Sequence, residues 1–118
     1  MIVYDHFEIK NPHELLKRED LEEFEQQYNT LLNSNVSDEE KGFSIGNFGA
    51  YLLKQGDDMT DRPSSKEVGK EVLKQGIKFL LKGVELGDST SQKLVNELIE
   101  HGGYKEYGIP NESDIKKL

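Results

Sequence analysis

Three histidines, His6, His13 and His101, and three aspartates, Asp57, Asp58 and Asp61, are the side chains in this chain whose types could bind an ion or move a proton. None of the histidines has a second histidine three or four residues away, so they lack metal-ligand spacing and read as surface or packing residues. The aspartates fall within Gly56 to Pro63, GDDMTDRP, which reads as a polar loop. It has neither the central glycine nor the closing glutamate of a calcium loop. No metal site is expected, and no cofactor.

Other chemistries fail on the same test of type and spacing. There is no cysteine, hence no thiolate ligand, disulfide or cysteine nucleophile. Glycines are plentiful, yet none forms a GxxxxGK[ST] or GxGxxG run after a strand, so no phosphate cradle is indicated. The serines have no convincing base beside them and the carboxylates are spread over helix surfaces, so no acid–base pair emerges. The chain reads as a non-enzyme with no catalytic residues.

What the sequence does concentrate is negative charge. The net charge is -8, and residues 1 to 41 hold 11 acidic against 4 basic side chains while the rest is nearly balanced. A field of that sign repels nucleic acid and membrane surfaces and favours basic partners, although solubility alone is the plainer reading. The densest acids are Glu19, Asp20, Glu22, Glu23 and Glu25. Together with Asp57, Asp58 and Asp61 they form the candidate partner-binding set. No stretch approaches the 18 apolar residues of a membrane span, and the first ten residues, MIVYDHFEIK, do not look like a signal peptide. A cytoplasmic protein is expected.

The elements that must position these residues are helices. At 118 residues and 34% hydrophobic, one domain spanning 1–118 with a modest core is expected. Val3, Phe7 and Ile9 share a parity, which fits a short edge strand or an extended arm. Asn11-Pro12-His13-Glu14 reads as a helix start. From Leu21 through Phe24, Tyr28 and Leu31 an apolar stripe marks the first helix, with Asp20 a candidate cap where the stripe is interrupted. The region is therefore one bent helix, or a short turn leading into a longer one. Ser37 with Glu40 forms a capping box for the second helix, which runs to about Gln55 and carries Gly46 and Gly49 beside Ile45, Phe48 and Leu52. Ser64 or Ser65 opens the third, ending at Leu86. Gly69, Gly76 and Gly83 recur along it at heptad spacing, a groove for a neighbouring helix. Lys66, Lys70, Lys74, Lys78 and Lys82 recur every fourth residue, either a solvated face or a docking strip for acids. Gly87 and Asp88 end that helix and cap the fourth, whose Leu94, Val95, Leu98 and Ile99 are expected to face the third. Tyr104, Tyr107, Ile109, Ile115 and Leu118 are expected to dock a C-terminal tail.

The run Gly76 to Val95, GIKFLLKGVELGDSTSQKLV, resembles the second half of a Sel-like repeat, a relative of the tetratricopeptide repeat. The resemblance rests on Gly76, Phe79-Leu80, Gly83, Gly87-Asp88 and Ser91. The preceding helix, FSIGNFGAYLLKQG, resembles the first half less closely. Residues 43–101 thus make one repeat unit, and a lone unit cannot bury its apolar face, so the first helix and the tail must cap it. The resemblance implies an all-α fold of antiparallel helical hairpins, a truncated Sel-like or TPR-like solenoid with an N-terminal arm and a docked tail. It also implies that Gly46, Gly49, Gly76, Gly83 and Gly87 serve helix packing. In size, charge and lack of catalytic groups the chain is also similar to bacterial immunity proteins, which implies inhibition of a basic toxin. The alternative is a Sel-like adaptor holding a partner peptide, with Tyr51, Phe43 and the lysines as its contacts.

Overall fold

A computed structural model describes residues 1–103 of the chain. They form a two-stranded hairpin, β1 (Ile2–Tyr4) and β2 (Phe7–Ile9), then α1 (Arg18–Leu32), α2 (Asp38–Thr60), α3 (Lys66–Glu85) and α4 (Ser89–Glu100). The protein is mostly helical, as expected, with this hairpin as its addition. The tail residues expected to dock, Tyr104 to Leu118, lie outside the described residues.

The α2–α3 pair is the frame, and small residues set its closeness. Gly42, Gly49 and Gly56 on α2 meet Gly83, Gly76 and Gly69 on α3. A Cβ on Gly49 would lie 2.8 Å from the Gly76 carbonyl oxygen, one on Gly56 would lie 3.0 Å from that of Gly69, and one on Gly83 would lie 3.1 Å from that of Gly42. Each step of seven along one helix is matched by seven in the opposite direction along the other. Seven residues are close to two turns, so both ladders stay on the facing sides and the backbones touch over most of their length. Gly46 belongs to a different contact. It and Gly83 leave room for Ser91, the buried first-turn residue of α4.

Gly87 makes the turn into α4. It stands at φ +91° with nothing near the position a Cβ would take, so it serves the turn and not the helix contact. Its N–H donates to Val84 O, and that of Asp88 to Gly83 O, both at 2.9 Å, the paired bonds of a Schellman ending. Asp88 then caps α4, its Oδ2 accepting from Ser91 N at 2.9 Å and from Ser91 Oγ at 2.6 Å.

The N-terminal residues are neither a lone edge strand nor an extended arm. Phe7 is fully buried, stacked on Phe48 at 4.2 Å between ring centroids, and Phe24 meets Phe48 edge-on at 4.8 Å. Tyr28 stacks on Phe79 at 4.7 Å. These rings join the hairpin, α1, α2 and α3 in one core, which explains why a hairpin too small to stand alone is held here.

Two boundaries differ from the sequence reading. Asn11 does not start a helix: Glu14 N donates to Asn11 O in an isolated turn, and α1 begins only at Arg18. Asp20 is not its N-cap residue but stands at the third helical position, accepting from Lys17 N at 2.8 Å. At the other boundary, Gly56 to Thr60 is not loop. Burial of Gly56 and Met59 against α3 carries α2 through a stretch whose composition favours a turn, and only 61–65 connect the two helices.

Candidate protein-binding surface

The acids of α1 divide by their place on the helix. Phe24, Tyr28 and Leu31 turn inward. Glu23 and Glu25 flank that stripe and reach neighbouring elements. Glu23 accepts from Lys10 Nζ at 2.6 Å, and this contact raises the pKa of Lys10 through the hydrogen bond and the charge of the glutamate. Glu25 pairs with Lys78 of α3, whose ammonium also lies 5.1 Å from the centre of the Tyr28 ring. Asp20 is engaged by the helix start. Glu19 and Glu22 are exposed.

Arg18 adds a third link, its Nε donating to Glu71 Oε2 at 3.0 Å, and Gln75 Nε2 donates to Leu21 O at 2.8 Å. Part of the α1 acidity therefore holds α1 on α3. In the lysine series, Lys78 reaches α1, while Lys70 and Lys82 pair with Glu67 and Glu85 one turn away on their own helix. The docking-strip reading thus applies at Lys78, and Lys74 is a solvated position.

Two members of the second acidic group sit on helix, not on a loop, and the third follows directly after it. Asp57 and Asp58 occupy the exposed last turn of α2, and Asp61 is its C-cap. The C-terminal end of a helix, the negative end of its dipole, is an unfavourable place for anions. Partial burial, and then the charges of Asp61 and Asp58, push the Asp57 carboxyl above the usual carboxylate range. Asp20 is near enough to Tyr51 to raise its pKa, after burial as the main cause, and Asp58 follows Tyr51 by seven residues, about two turns along the same side of α2.

Sequence reasoning missed an apolar groove on the other side of α2. Ala50, Leu53, Leu94 and Leu98 line a depression of about 400 Å³ that reaches Glu97 and His101. Of the four α4 residues expected to face α3, Val95 is buried, whereas Ile99 is 37% exposed and Leu94 turns to the groove. The signal was there in Ala50, Leu53 and Leu94, partly buried apolar residues on two helices beside the α2–α3 glycine contact. Phe43, 50% exposed, and Asn47 continue the groove along α2 towards Thr90.

His6 lies 3.6 Å from Glu40, His13 is exposed, and His101 caps the end of α4. Among the described residues no three of these or of the carboxylates converge as a metal site would require. No described helix is long and apolar enough to cross a membrane. No family model, curated protein or solved structure matches this chain.

Proposed function

We propose that this chain is a non-catalytic protein-binding module of the immunity type, a cytoplasmic inhibitor that binds and neutralises a basic bacterial toxin. The observation that carries the reading is the placement of charge: Glu19, Glu22, Asp57, Asp58 and Asp61 remain exposed while Glu23 and Glu25 are matched by lysines, in a chain of net charge -8. Exposed charge of one sign steers an oppositely charged protein and speeds its association, and it disfavours nucleic acid and anionic membranes.

The test begins with co-purification of the tagged protein and its partner from the native host. Glu22→Lys and Asp58→Lys are then expected to slow association with that partner and to flatten its dependence on salt, with dissociation changing less. An association rate indifferent to both substitutions and to salt would rule the reading out.

The apolar groove between α2 and α4 favours a second reading, an adaptor built as a truncated Sel-like stack that holds a partner peptide. Under it binding is nearly independent of salt and depends on Phe43, Tyr51 and the groove.

A further inference from the structure

We draw no further inference here: the strongest candidate, the apolar groove between α2 and α4 lined by Ala50, Leu53, Leu94 and Leu98, ends at Gly103, the last described residue, and nothing in the structure shows what covers it.

Discussion

Gly49 and Gly76 touch across the α2–α3 interface as backbone against backbone. A Cβ on Gly49 would stand 2.8 Å from Gly76 O and 2.9 Å from Leu80 N, and one on Gly76 would stand 3.0 Å from Gly49 O. Atoms that cannot rotate away block the added methyl on both sides. Alanine favours an isolated helix by about 1 kcal/mol over glycine, but overpacking costs about 1–3 kcal/mol. Gly49→Ala and Gly76→Ala are therefore expected to destabilise the protein by up to about 2 kcal/mol net in urea unfolding. Stabilisation by either would mean that the helices can slide apart freely.

Four of the six glycines of this interface were legible in the sequence, and the reason for the other two is local. Gly69, Gly76 and Gly83 stand in a strongly amphipathic helix, where heptad spacing is plain. On α2, Gly49 stands beside Gly46 in one short run, whereas Gly42, in the second turn, and Gly56, which precedes two aspartates in a composition that signals a turn, are harder to see. Propensity there is overridden by burial of Gly56 against Leu73 and Gly69. The same conflict turned two of the eight candidate acids, Asp57 and Asp58, from loop into helix residues. The Gly87-Asp88 junction was legible because both signals are local, a left-handed cap followed by a side-chain cap. The partners of Glu23 and Glu25 were not, since Lys10 and Lys78 meet them only through tertiary packing. The pairing of β1 with β2 was hidden too, because period two shows a strand but not its partner.

Phe7 should behave as a core residue despite its place near the N-terminus. It is fully buried and contacts Phe48 and Phe79. Truncation of a buried aromatic leaves a cavity and costs about 3–5 kcal/mol, so Phe7→Ala is expected to remove a large share of the stability. Val3→Ala, on the exposed face of the same hairpin, should change it by less than about 0.5 kcal/mol. Equal and small effects in thermal unfolding would show that the hairpin is a dispensable arm.

Asp88 and Ser91 form the hinge point of α4. The carboxylate caps the helix and also accepts from the Ser91 hydroxyl, which is buried between Gly46 and Gly83. Asp88→Ala should cost about 1–2 kcal/mol, at the upper end for a cap because it leaves that hydroxyl without its acceptor. Asp88→Asn, which keeps an oxygen acceptor, should recover most of the loss. Hydrogen exchange will show the effect first in the amides of the first turn of α4, and uniform protection there would contradict the assignment.

Asp57 is placed against its own charge. Partial burial, and the neighbouring charges of Asp61 and Asp58, hold its pKa above the ordinary value of 3.8. A carboxyl whose folded pKa is raised binds its proton more tightly in the folded state. Its favourable contribution is thus full below the unfolded pKa and is lost as pH rises through the folded one. Asp57→Asn removes the repulsion and the unfavourable contact with the helix end, and is expected to stabilise the protein at pH 7 by a few tenths of a kcal/mol, about the size of an exposed dipole effect. The gain should shrink towards pH 3, where Asp57 is itself protonated. Because Asp57 is one of the steering acids in the charge reading, the same variant will also slow association with a basic partner, so stability and binding rate should move in opposite directions.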